Sequence, residues 1–190
     1  VVLERTDYTV PRIGESLTPG VRPLLEYLSV WELFQKTQSL QSFGSEAAWG
    51  HASLNALDYL FTPHGHGWLL NRLRFDKMLA EAFQARGGHL KIGCRVQSCE
   101  RAGTHWNVTV KNNDGTTGTL QARYLIEASG RSSSLASQSA ERVRYDSLVG
   151  VGHIGYLDDM HSVTNTTQVE ACACGWWYTA PLPDNRMAVV

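Results

Sequence analysis

The 190 residues carry 17 basic and 18 acidic side chains, with 43% hydrophobic and 18% charged residues, a balance that excludes a disordered or fibrous chain and leaves enough apolar surface for a sizeable core. With a net charge of −1 and no Lys/Arg block, neither a nucleic-acid groove nor an anionic-membrane surface is expected. No apolar run reaches the roughly 18 residues of a membrane span, and the N-terminus lacks the basic-then-apolar layout of a signal peptide, so small-molecule chemistry in a cytoplasmic setting is the expectation.

In chain order, Val1–Glu4 reads as a buried strand closed by an acidic residue. In nucleotide-binding βαβ units a carboxylate after the second strand bonds a ribose hydroxyl, and Glu4 fits that position or else simply ends an edge strand. The first residue is not Met, no GxGxxG turn occurs anywhere, and Met187–Val190 stops inside an apolar run. An internal fragment of a larger protein is therefore expected. Thr18 and Pro19 suit the N-cap and first position of a helix running to about Leu28, with Val21, Leu24, Leu25 and Leu28 as its buried stripe. From Trp31 to Trp49 scattered polar residues predict a short helix and then loop, and Ser53–Phe61 reads as extended.

Thr62-Pro63-His64-Gly65-His66-Gly67 is a turn into Trp68-Leu69-Leu70. Two histidines at i, i+2 without a third ligand nearby read as turn or substrate-pocket residues, so no metal site is expected. Asn71 caps a helix with Phe75, Met78, Leu79, Ala82 and Phe83 on one face, which ends at Gly87-Gly88. Strand signals follow at Leu90–Ile92, Arg95–Cys99, Trp106–Val110 and Gly118–Gln121, with Asn112–Gly115 as the turn of an antiparallel meander. The meander feeds an expected central strand, Tyr124–Glu127, which ends in Ala128-Ser129-Gly130, small residues that let a ligand approach the backbone.

Ser132–Ser134 and a polar stretch to Arg144 lead to four further strand signals, Leu148–Leu157, Thr167–Ala173, Trp176–Ala180 and Met187–Val190, with a turn at Pro181–Asn185. The four cysteines lack CxxC spacing and read as free thiols, Cys172 and Cys174 as small packed residues on one strand face. Alternating strands and helices with an antiparallel insertion predict an α/β nucleotide-binding domain followed by a β-rich region.

The order of VVLER, RIGESLTPGVRPLLEYL, GHGWLLNRLRFDKMLAEA, RYLIEASGRSSS and GWWYTAPLP resembles the FAD-dependent oxidoreductases that include p-hydroxybenzoate-type hydroxylases, geranylgeranyl reductases and flavin-dependent halogenases. The resemblance implies an α/β fold, with an incomplete Rossmann-like FAD-binding portion in residues 1–48 and 71–146 and a β-rich substrate-domain portion in 49–70 and 147–190. It implies FAD as cofactor, with NAD(P)H or a partner reductase as electron source. Glu4 would accept hydrogen bonds from the adenosine ribose, Arg5 is an implied cofactor-binding residue, and Arg12 and Arg74 would lie near the dinucleotide, where a guanidinium fork suits phosphate oxygens. Gly14, Glu15 and Ser16 of the GES turn are implied cofactor-binding residues, the backbone around Val96 would border adenine, and Ala128, Ser129 and Gly130 would approach the cofactor. His66, Trp68, Trp176 and Tyr178 are implied substrate-pocket residues.

The implied activity is monooxygenase-like oxidation of a small molecule or of a partner protein's side chain. Halogenases place a Lys roughly thirty residues after the GES-like turn, but Ser42–Trp49 contains none. Tyr178 and Ala180 also stand where halogenases tend to have Trp and Ile. The alternatives are a halogenase-like protein without that Lys, a maturation flavoprotein for a protein-derived quinone cofactor, and a catalytically inactive fragment.

Overall fold

The computed structural model describes residues 1–130, 143, 145–146, 148–159 and 163–190. Ser132–Ser134, Arg142 and Arg144 lie outside them. The elements are β1 (Val2–Glu4), β2 (Ser16–Leu17), α1 (Val21–Tyr27), α2 (Trp31–Gln35), β3 (Leu40–Ser42), β4 (Gly44–Ala48), β5 (Asn55–Asp58), β6 (Gly67–Leu69), α3 (Arg72–Ala85) and β7 (Leu90–Ile92). They continue with β8 (Cys94–Ala102), β9 (His105–Asn112), β10 (Thr117–Ala122), β11 (His153–Tyr156), β12 (Thr166–Cys172), β13 (Gly175–Leu182) and β14 (Arg186–Val189). The chain divides into two compact units, one of Val1–Asp7 with Arg86–Val149, the other of Tyr8–Ala85 with Gly150–Val190.

In the first unit β1 and β7 pair in parallel, Glu4 opposite Ile92. Strands β8, β9 and β10 form the expected meander, turned at Asn112–Gly115, where Gly115 has φ +88°. Val108, Val110, Cys94 and Cys99 are buried together, with Leu3, Val96, Trp106, Leu120 and Leu125 packed on them. Burial and the nearby Glu127 carboxylate push the Cys99 thiol up, keeping it neutral.

The stretch Tyr124–Glu127 is not a strand. Its composition suits one, but it finds no ladder partner among the described residues, and a strand is defined by its ladder. Leu125 packs against the core while Tyr124 and Ile126, pointing the other way, are 86% and 88% exposed.

The second unit holds a six-stranded mixed sheet in the order β11-β14-β13-β12-β4-β5 and a three-stranded one in the order β2-β6-β3. Its larger core gathers Leu25, Val30, Phe34, Leu70, Met78 and Ala82 from all three helices and the end of β6. Phe34 is the hub, edge-on to Trp68 and Phe75 at 5.2 and 5.8 Å. A second cluster joins Leu69 to Ala180, Leu182 and Ala188 of the six-stranded sheet. Gly67 permits the close passage of β6, because a Cβ there would stand 2.5 Å from the Leu17 carbonyl and 3.0 Å from the Tyr59 ring.

Several expectations are corrected. Helix α1 starts at Val21 with Gly20 as cap and no side-chain cap, because the Thr18 carbonyl, not its hydroxyl, receives the Val21 N–H. Of its stripe only Leu25 is buried; Leu24 and Leu28 are exposed. The region after α2 is two strands rather than loop, fixed by ladders to β6 and β12 that no local pattern announces. β13 runs on to Leu182, leaving a turn of Pro183–Asn185 in which Asp184 and Asn185 have φ +64° and +56°.

Helix α3 forms as its pattern predicts, and Asn71 caps it, its Oδ1 accepting from the N–H groups of Leu73 and Arg74 at 3.1 and 3.4 Å. Replacing Asn71 with alanine is expected to lower stability by about 1 kcal/mol, measured as a shift in the urea midpoint at unchanged slope.

Candidate active site: the GES turn and its guanidinium clamp

The turn before β2 is built from groups that hold each other. Gly14 takes φ +99°, a conformation costly for any side chain, and its N–H donates to the Glu15 Oε2 at 2.8 Å. The Glu15 carbonyl accepts from the Leu70 N–H at 2.8 Å, and Ser16 then pairs with Leu69. From the first turn of α3, Arg72 reaches back and donates through one terminal nitrogen to the carbonyls of Ile13 and Gly14, at 3.1 and 2.9 Å. Its other two nitrogens fork onto Asp76, one turn along the helix, both at 3.1 Å. The Arg12 guanidinium lies 3.9 Å from the same carboxylate. One carboxylate thus orients two guanidiniums around one turn.

Glu15 is the unusual member. It is 2% exposed, and its Oε1 accepts no hydrogen bond, a state that costs free energy unless a donor is supplied. It lines a narrow cavity together with Pro11, Arg12, Asn71, Arg72, Leu182 and Arg186. The Tyr178 phenol is close enough to feel it: burial first, then the Glu15 charge and a hydrogen-bonding interaction with the Glu15 carboxylate, push Tyr178 well above the ordinary phenol range. Tyr178 is therefore a neutral donor group at physiological pH. It lies on the face of β13 that packs with Ala180 and Leu182 against Leu69.

The other residues singled out by sequence are placed as follows. Arg74 is engaged with Asp184 at 3.0 Å, and Asp184 also meets Arg186 at 3.4 Å. Trp68 packs edge-on against Trp31 and Phe34 in the core, and His66 stacks edge-on against it at 4.5 Å with its Nδ1 3.0 Å from the Gly67 carbonyl. Trp176 is 38% exposed and Trp177 56%. In the first unit, Glu4 ends β1, its Oε1 accepting from the Thr6 N–H and hydroxyl at 2.8 and 2.6 Å, and Arg5 follows it, exposed. Val96 sits at a β-bulge in β8, beside a groove lined by Arg95, Gln97, Lys111, Asn112 and Asn113. Ala128, Ser129 and Gly130 are exposed, Ser129 donating to Glu127 at 2.6 Å.

Sequence reasoning missed Arg72, Asp76 and Arg186. The Arg72–Asp76 spacing of i, i+4 beside a helix cap was the available signal. Among the described residues no group of three or more His, Cys, Asp or Glu is arranged to hold a metal, and no helix is long and apolar enough to cross a membrane.

A dinucleotide flavin fits this clamp. Its ribityl and ribose hydroxyls are the kind of donor that the orphaned Glu15 oxygen lacks, and its phosphates suit guanidiniums held in place by a carboxylate.

LodB of Marinomonas mediterranea, named as an FAD-dependent oxidoreductase, is 31% identical over all of this chain, which covers 52% of LodB. The tryptophan 2-halogenase of Chondromyces crocatus is 26% identical over 99% of the chain and 37% of its own length. The chain thus spans about half or less of the curated relatives it matches. A flavoprotein/dehydrogenase structure from Cytophaga hutchinsonii superimposes with a TM-score of 0.83 at 20% identity, covering 98% of this chain and 48% of that one, which establishes the shared fold. The model of the FAD binding domain matches residues 1–182, and the chain belongs to that FAD-binding family.

Proposed function

We propose that this chain is the FAD-holding part of an FAD-dependent oxidoreductase of the monooxygenase-like kind, acting on a small molecule or on a side chain of a partner protein. The observation that carries the reading is Glu15, a buried carboxylate with an unsatisfied oxygen in a turn clamped by Arg72 and flanked by Arg12. Residues 1–48 and 71–146 form the FAD-binding portion in this reading, and 49–70 and 147–190 belong to the substrate side.

Bound flavin supplies the redox chemistry, accepting reducing equivalents from NAD(P)H or a partner reductase and delivering them to oxygen or substrate. The chain's own groups bind and orient. Glu15 receives a cofactor hydroxyl, Arg12 neutralises phosphate charge, and Gly14 keeps the backbone accessible. Glu4 at the end of β1 accepts from the adenosine ribose, with Arg5 beside it. Arg74, Ser16, Val96 and Ala128–Gly130 are assigned to the cofactor on the family resemblance. His66, Trp68, Trp176 and Tyr178 are assigned to the substrate side on the same ground, Tyr178 as a proton-holding group.

The absence of Lys from Ser42–Trp49 favours oxygenation or dehydrogenation over halogenation. The test is the purified full-length protein given FAD, a reductant and oxygen, with and without halide. Yellow protein with reductant-driven oxygen uptake that halide does not alter is the expected result. Protein that binds no flavin, or that turns over only with halide, overturns the reading.

A further inference from the structure

Two cysteines have no place in the flavin site. Cys172 is the last residue of β12, and Cys174 is the second residue of the two-residue turn that leads into β13 at Gly175. The expectation that both are packed inside a strand face fails: both are exposed free thiols, with their sulfurs 3.8 Å apart. The turn explains this. Within a strand, residues i and i+2 lie about 6.6 Å apart along the chain with parallel side chains, at the upper limit for bridging, whereas the turn folds Cys174 back toward Cys172.

We propose that Cys172 and Cys174 form an oxidation site that takes a hydroperoxide and closes to an intramolecular disulfide. Two sulfurs at 3.8 Å are already in van der Waals contact, and reaching the roughly 2.05 Å of a disulfide requires rotation of exposed side chains in a turn rather than movement of a packed core. In the first step one thiolate attacks an oxygen of hydrogen peroxide, forming a sulfenic acid and releasing hydroxide, which takes up a proton as water. In the second, the other thiolate attacks the sulfenic sulfur, the S–S bond forms, and the departing oxygen leaves as a second water. Two thiols and one peroxide thus give one disulfide and two waters, the two electrons lost by sulfur having cleaved the O–O bond.

The molecule carries its own control. Cys94 and Cys99 are buried; the Cys94 thiol donates to the Lys91 carbonyl at 3.1 Å, and burial holds Cys99 in its thiol form. The reactivity therefore belongs to the hairpin pair.

The test uses native full-length protein, pulsed with hydrogen peroxide, alkylated without unfolding, and read by intact mass and peptide mapping. Before the pulse Cys172 and Cys174 are expected to alkylate. Afterwards neither does, the mass has fallen by two hydrogens, the 172–174 peptide is internally linked, and reductant restores both thiols. Cys174→Ser is expected to leave Cys172 unlinked and trappable as its sulfenic acid by a dimedone-type reagent. Retained alkylation with unchanged mass, a gain of oxygen in place of the loss of hydrogens, or a link between two molecules overturns the proposal.

Discussion

Replacing Arg72 with alanine is expected to weaken FAD binding at least about tenfold and to lower stability by about 2–4 kcal/mol. Its guanidinium makes four contacts at once, two to the turn carbonyls of Ile13 and Gly14 and two to Asp76. The pair is well shielded, with side-chain exposures of 24% for Arg72 and 16% for Asp76. Truncation would leave Asp76 facing only Arg12, at 3.9 Å, and an ion pair stripped of one partner costs more than the pair was worth. The turn carbonyls would lose their donor, so Gly14 and Glu15 would no longer be held at their present angle. Arg72→Lys should not rescue, because an ammonium cannot span two carbonyls and a carboxylate together. Asp76→Asn should be intermediate, keeping one acceptor and losing the charge that aligns both guanidiniums. Flavin fluorescence titration beside thermal unfolding of the apoprotein separates the two effects. An Arg72→Ala protein that binds FAD like the parent would remove Arg72 from the cofactor machinery and leave it a structural clamp.

The sequence made α3 legible because three independent signals agreed: an apolar face at helical spacing, Asn71 at the start and Gly87-Gly88 at the end. The meander was legible for the same reason, its turn residues and alternating strands pointing one way. Strands β3 and β4 were not, since Ser-Phe-Gly-Ser-Glu-Ala-Ala has no alternation and its pairing is distant: Glu46 meets Gln168 across 122 positions. Gly44 belongs there because the Leu57 carbonyl occupies the space of a Cβ, a fact of packing that no local pattern carries. Tyr124–Glu127 shows the converse, strand composition without a ladder. The site divides similarly. Glu15 could be named from its motif, but its burial depends on β6, α3 and β13 arriving around it, so the unsatisfied oxygen that gives it meaning appeared only with the fold.

Above pH 10 the protein is expected to lose stability through Tyr178, and Tyr178→Phe is expected to abolish that loss. In the native state burial and the Glu15 charge raise the Tyr178 pKa, whereas in the unfolded chain it returns to about 10. Below the unfolded value both states keep the proton and the phenol's native environment costs nothing. As pH rises beyond it, the unfolded state releases a proton that the folded state retains, so unfolding gains on folding at about 1.4 kcal/mol per pH unit for one group. Solvent screening of this part-exposed phenol limits the total to roughly 1–2 kcal/mol. The alkaline limb of a urea-midpoint profile should accordingly be flatter in Tyr178→Phe than in the parent. Glu15→Gln should shorten the same limb, ending it at lower pH with a smaller total loss, because removing the negative charge brings the native Tyr178 pKa back toward the unfolded value while the burial remains. In the FAD-loaded protein it should weaken the cofactor several-fold, because an amide is a poorer acceptor than a carboxylate for a cofactor hydroxyl. Identical alkaline limbs in parent and Tyr178→Phe would mean that the phenol does not feel Glu15, and the buried pair would lose its claim to be one electrostatic unit.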